Sequence, residues 1–317
     1  MANDCASTAA VATPATMSSP RPHAKYWLDD GSLVIRTQND LFKVHRTLLV
    51  RHSIVLSSLS DGVQTVEDID GCPIVHIPDE LGVQSADLEA LLEHLYHDIP
   101  LDTDAPFPRV AAVLRATSKR QLDFPAIHEL ARRRLEGMLP SGPEAFVHPP
   151  DPDVALTLAV EHNLHSIQKA LFYSLATNSN LEHDDPDGAS TPGIIGVDSG
   201  SGDPRPNLSP ALADQCKALL NELIAHFTPI LFTVATAHHM ACTDVFAEAW
   251  MPLVIQPALE SNGLCRPLET LETIIKLDWH AEGLCQECVE EKTAEWRDEQ
   301  RVVWEKMDEW LGLSGKS

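Results

Sequence analysis

The sequence is poor in positive charge. Lys and Arg total 23 against 47 Asp and Glu, a formal net charge of −24, and the isoelectric point lies near 4.8. A nucleic-acid binder needs a basic face to neutralise phosphates, and docking on anionic lipid needs one too, so the balance argues against both roles. Long apolar runs are also missing. The longest, Ile230 to Ala237, is broken by Thr233 and Thr236 and is too short to span a bilayer. Residues 1–23 lack the basic start and apolar core of a secretion signal, and their single basic residue, Arg21, does not make a transit peptide. A disulfide framework is absent as well: the seven cysteines are odd in number and widely spread. These absences together lead us to expect a soluble chain in a reducing compartment, cytoplasm or nucleus.

What is present supports real cores. Hydrophobic residues make up 44% of 317 positions, enough for two domains of ordinary size. Residues 1–23, rich in Ala, Thr, Ser and Pro without periodicity, read as a disordered leader. Ser32–Arg36 and Leu41–Val44 are short strand-like runs around the polar Thr37–Asp40, which predicts a β-hairpin. His45-Arg46 ends it, Thr47 is placed to cap a helix, and Leu48, Leu49, Ile54, Val55, Leu56 and Leu59 follow at helical spacing. Ile74–Ile77, bracketed by prolines, predicts a third strand. Ser85 is placed to cap a helix over Asp87–His97, and a short strand at Ile99–Leu101 follows. Helices are expected over 109–116 and 124–139. The strand–helix alternation predicts an α+β domain over 24–140.

The order Asp29, Asp30, Phe42, Val44, His45, Arg46 and Leu49, with Ser53, Ser57 and Ser58 downstream, resembles the opening of a BTB/POZ domain. Leu95-Tyr96 followed by Ile99-Pro-Leu101 resembles that family's later helix and return strand. The resemblance implies a small sheet with clustered helices and a role in binding proteins. Family members associate with themselves or with other proteins. Many connect substrates to cullin-based ubiquitin ligases, and others recruit transcriptional regulators. The leader supplies no convincing extra strand of the kind some members exchange between partners. His45, at a strand–helix junction, reads as a structural histidine bonded to nearby backbone or to Asp29 or Asp30, because no nucleophile or metal-spaced partner accompanies it. Arg115, Lys119, Arg120, Arg132, Arg133 and Arg134 form the one locally basic region, diluted by Asp123, Glu129 and Glu136. It reads as a solvated helix face, with a docking patch as the alternative.

After the breaker Pro149–Pro152, helices over 154–162 and 167–176 read as an extension of the first domain, spanning 141–181. Residues 182–208 read as an acidic flexible linker. Within it Asp198-Ser-Gly-Ser-Gly202 lacks the strand and helix that would make Ser199 a nucleophile or the segment a phosphate loop. Ser209 opens an all-helical domain over 209–317. Pro229 is expected to end or kink its first helix, and further helices are expected over 230–239, 244–250, 253–259 and 268–279.

The chemically interesting motif is Cys285-Gln-Glu-Cys288, which precedes a charged helix carrying Trp296, Trp304 and Trp310 and ending at Leu311-Gly-Leu313. This tail is similar to one seen at the end of BTB proteins of mushroom-forming fungi. A Cys pair two apart supplies half of a tetrahedral zinc site. His238, His239, Cys242, Cys265 and His280 are candidates for the other half, although no second Cys-x-x-Cys and no His-x-x-x-His occurs. The alternatives are a redox dithiol, which lacks a preceding thioredoxin-like unit, and buried thiols packed as small hydrophobes. The tryptophans read as a core stripe or as anchors for a partner. No catalytic residue and no organic cofactor is expected. The chain reads as a non-enzymatic protein-binding protein.

Overall fold

A computed structural model of the chain describes residues 20–61, 68–178 and 208–313. Most of the leader, all of the linker up to residue 207, and Ser199 lie outside the described residues. The chain divides into two compact units, Met1–Ala131 and Arg132–Ser317, and the described residues combine one sheet with many helices, as the α+β reading expects.

The first unit is built on a five-stranded sheet in the order β1-β3-β2-β5-β4. Its strands are β1 (Arg21–Trp27), β2 (Leu33–Arg36), β3 (Asp40–Val44), β4 (Asp68–Ile69) and β5 (Cys72–His76). The predicted hairpin is β2 with β3, antiparallel, with Leu33 opposite Val44 and Ile35 opposite Phe42. Leu33, Val34 and Ile35 are all buried, so β2 is a continuous apolar run covered on both faces, and it also pairs in parallel with β5. β1 pairs in parallel with β3. It begins at Arg21, inside the stretch read as a leader; the burial of Tyr26 and the bond from its hydroxyl to Asp98 (2.9 Å) anchor a strand whose start is polar.

Helices α1 (Arg46–Val50), α2 (Ile54–Asp61), α3 (Ser85–Leu95) and α4 (Phe107–Ala116) complete this unit, and α5 (Pro125–Gly137) crosses its boundary. Several predicted caps differ. His45, not Thr47, occupies the N-cap of α1. Gln84 precedes α3, while the hydroxyl of Ser85 bonds that of Thr37 at 2.9 Å. Ser53 does cap α2, accepting from Leu56 N–H at 2.9 Å and donating to Leu122 C=O. Residues 99–101 form no strand: buried Leu101 donates its N–H to His94 Nδ1 at 3.1 Å, a side-chain bond in place of a ladder. Arg115 of the basic region is bidentate to buried Asp87, at 2.8 and 2.6 Å, which makes it a bond between α4 and α3.

The second unit is helical throughout its described residues. Its helices are α6 (Pro152–Glu161), α7 (His165–Asn178), α8 (Pro210–Phe232), α9 (Met240–Trp250), α10 (Gln256–Glu260), α11 (Pro267–Lys276) and α12 (Gln286–Trp310). The sequence attaches α6 and α7 to the first domain, yet they group with the C-terminal helices. Helix α7 is buried almost all round from Ile167 to Thr177, and such a helix needs neighbours on every side. Leu268 N–H donates to Tyr173 Oη at 3.1 Å and Arg266 to Thr177 C=O at 3.2 Å.

Pro229 does not end α8, which runs on to Phe232; nor do residues 230–239 form a helix of their own. Buried Leu231, whose carbonyl accepts from Trp250 Nε1 at 2.9 Å, holds the last turn in place. Between α9 and α10 the helix widens to π geometry over Met251–Ile255, where Pro252 has no N–H to give. The core of this unit is aromatic. Phe246, Trp250, Trp279 and Trp296 lie within 5.0–6.3 Å of one another, and the indole of Trp279 donates to Ile274 C=O at 2.9 Å.

Candidate metal centre

Two helices of the second unit start in the same way. Helix α9 has His239 at its N-cap and Cys242 three residues on; α12 has Cys285 at its N-cap and Cys288 three residues on. N-cap and third-residue side chains project together ahead of a helix, where the unpaired N–H groups of the first turn also point. The two N-cap side chains approach each other, with His239 Nδ1 3.2 Å from Cys285 Sγ.

The result is a cluster of one imidazole and three thiols whose ligand atoms all lie within 4.8 Å of one another. His239 Nδ1 is 3.2 Å from Cys285 Sγ and 3.5 Å from Cys288 Sγ, and Cys242 Sγ is 3.7 Å from Cys285 Sγ. His239 is exposed and Cys285 partly so, while Cys242 and Cys288 are buried in the aromatic core beside Trp279 and Trp296. This set can hold a metal ion.

Local structure fixes each arm. Before α12, Gly283 stands at φ +110°, a conformation that penalises any side chain, and it lets the chain turn back so that Leu284 N–H reaches Trp279 C=O at 3.0 Å. Before α9, Thr243 Oγ1 accepts from Ala237 N–H at 3.0 Å and lies 3.1 Å from Ala237 C=O, which holds the turn that delivers His239.

The electrostatics match a site built for thiolate. The Cys285 thiol is lowered to about 6, first by the Cys288 backbone N–H and then by His239 and the Cys288 thiol. Burial pushes Cys288 up to about 11, with the neighbouring Cys285 adding to it. His239 is raised by its bond to Cys285. An ion that binds these donors takes the place of their protons.

Of the candidates named from sequence, Cys285, Cys288, His239 and Cys242 are brought together and three are not. His238 faces outward and pairs with Glu291 at 2.6 Å. His280 Nδ1 lies 3.1 Å from Leu284 C=O, bracing the turn. Cys265 lies in a 3-10 turn, Gly263–Cys265, outside the cluster. The signal for the second half was present: His239-x-x-Cys242 has the spacing of Cys285-x-x-Cys288. A search for a repeated Cys pair or a His-x-x-x-His passes over it.

The remaining predicted residues fall as follows. Phe42, Val44 and Leu49 are core, and Arg46 Nε donates to Ser60 Oγ at 2.7 Å. His45 is bonded on both ring nitrogens, to Tyr96 Oη at 2.9 Å and to Asp30 at 3.2 Å. Trp296 is buried, Trp304 carries Lys169 Nζ 4.8 Å over its ring, and Trp310 meets His226 edge-on.

A second cluster was invisible in the sequence. His148 Nδ1 lies 3.0 Å from Ser174 Oγ, its Nε2 lies 2.5 Å from Glu269, and Tyr173 bonds the other Glu269 oxygen. The composition is that of a hydrolytic triad, but Ser174 is wholly buried in α7. The open cavity of about 700 Å³ beside it is lined by His148, Val147, Arg301 and several prolines and does not reach that hydroxyl. The cluster ties α7, α11 and the segment at residue 148 together. No family model, no curated protein and no solved structure matches this chain.

Proposed function

We propose that this chain is a non-enzymatic protein-interaction module of BTB/POZ type whose helical domain is stapled by one zinc ion. The observation that carries the zinc assignment is the spacing of the four donors. Zinc–sulfur bonds of about 2.3 Å and zinc–nitrogen bonds of about 2.05 Å at tetrahedral angles put two sulfurs about 3.8 Å apart and a sulfur and nitrogen about 3.6 Å apart. Cys242–Cys285 has 3.7 Å for the first, His239 with Cys285 and Cys288 has 3.2 and 3.5 Å for the second, and all the donor atoms lie within 4.8 Å of one another. Three thiolates favour zinc over hard cations such as calcium or magnesium. Four ligands from the chain itself fill a tetrahedral sphere, and a filled sphere is structural; a catalytic zinc keeps one position open.

The BTB/POZ reading is supported by the hairpin–helix unit with Phe42, Val44 and Leu49 in the core and His45 held between Asp30 and Tyr96. On this reading the first unit binds other proteins, a further copy of itself or a cullin among them, and the helical unit serves a second partner. Fold analogy names no individual partner.

Two measurements test the proposal. Elemental analysis of the purified protein should find one zinc per chain, and well under one would end the zinc assignment. Affinity purification of the tagged chain, intact and lacking residues 24–140, tests the module. Enrichment of a cullin that vanishes with the deletion makes it a ligase adaptor, and enrichment of transcriptional regulators makes it a scaffold for those. Retention of every specific partner by the deleted chain would overturn the reading.

A further inference from the structure

The four ligands are not equally placed, and the inequality has chemical meaning. Cys242 and Cys288 are buried, 4% and 0% exposed, whereas Cys285 is reachable from solvent and its histidine neighbour is exposed. Cys285 Sγ lies 3.7 Å from Cys242 Sγ, within a cluster whose ligand atoms are all within 4.8 Å of one another. These two belong to different helices, and the approach links the start of α12 to that of α9. A disulfide needs sulfurs about 2.0 Å apart, so the pair must close by less than about 2 Å.

We propose that this centre responds to hydroperoxides: Cys285 is oxidised first, Cys242 closes a disulfide onto it, and the zinc is released. The inference rests on the zinc assignment above. The chemistry balances with hydrogen peroxide as the oxidant. The Cys285 sulfur attacks one peroxide oxygen, an S–O bond forms, the O–O bond breaks, and hydroxide leaves to become water on protonation. The Cys242 sulfur then attacks the sulfenic sulfur, an S–S bond forms, and the oxygen leaves as a second water. Two thiolates lose two electrons, one peroxide gains them, and two protons are consumed. Only His239 and Cys288 remain as ligands, half of the set a structural zinc requires. A dithiol reductant reverses the disulfide, and zinc rebinds.

Placement distinguishes Cys285 from the other thiols. Cys72 and Cys216 are buried and stand outside the cluster. Cys265 is as accessible as Cys285 but has no described thiol in contact and no place in the cluster, so its oxidation releases nothing.

The test uses the full-length protein as purified. Zinc is first measured by elemental analysis. Hydrogen peroxide is then added and zinc release followed with a chromogenic chelator, alongside peptide mapping by mass spectrometry without reduction. The expected result is release of one zinc per chain, a Cys242–Cys285 cross-linked peptide, and recovery of bound zinc after dithiothreitol. Cys265→Ser should release zinc as the wild type does. Cys242→His keeps four ligands but removes the resolving thiol, so release should slow at least tenfold. Protein that contains no zinc at the outset sinks the zinc assignment. Zinc that is present and stays bound under peroxide, or a Cys285–Cys288 linkage in place of Cys242–Cys285, overturns the inference and leaves that assignment standing.

Discussion

Glu269 stays ionised although it is mostly buried, because both of its oxygens are engaged. Burial pushes its carboxyl upward, but the bonds from His148 and Tyr173 outweigh that, and the net shift is downward from the ordinary 4.5. The sign of the consequence follows by linkage. A carboxyl whose folded value is depressed contributes stability that is complete above its unfolded value and is lost as pH falls through the folded one. Glu269→Gln should therefore be clearly destabilised at pH 7, and the gap to the wild type should shrink as pH falls from about 5 toward 3. Urea midpoints of both proteins across that range check it, and a gap that stays constant would show that the charge is not what matters. Nothing in the sequence announces this cluster. His148 and Glu269 are 121 positions apart and lie in no motif, so only tertiary packing brings them together. His45 is the contrasting case: its acid partner Asp30 was nameable because the hairpin returns it locally.

Among the elements, the turn between α11 and α12 connects core to cluster. Trp279 is 1% exposed, stacks on Trp250 at 6.3 Å, meets Phe246 at 5.0 Å, and receives the Leu284 N–H on its own carbonyl. Removing that side chain leaves a large cavity under the residues that present Cys285. Trp279→Ala should cost about 3–5 kcal/mol, read from the denaturant midpoint of the purified protein. A loss under about 1 kcal/mol would show that the aromatic cluster is not the core of this unit. Elements with a strong apolar period were legible beforehand: the hairpin, α4, α5 and the long α12. Those decided by tertiary contact were not. Pro229 is a helix breaker by local chemistry, yet buried Leu231 and the Trp250 indole carry α8 past it. The segment 230–239 has helical composition, and its second half is given instead to the turn that aims His239.

At the level of the whole chain, the net charge of −24 and the division into two units set what a partner must look like. A basic face on the partner suits this surface, and its attraction weakens as salt rises. The deletion experiment above belongs to this scale, since it asks whether one unit carries the binding. Half of the candidate metal site was legible as Cys285 and Cys288; the other half stood in His239-x-x-Cys242, which shares that spacing, but the fold and not the interval sets which helix start faces which. That facing has a consequence in polymer terms. An ion held by Cys242 and Cys285 joins positions 43 residues apart and closes a ring that contains Phe246, Trp250 and Trp279. A covalent link closing a ring of that size would remove about 4 kcal/mol of disorder from the unfolded chain. An ion lets go once its donors separate, so its contribution would come through binding the folded state and would grow with the concentration of free ion.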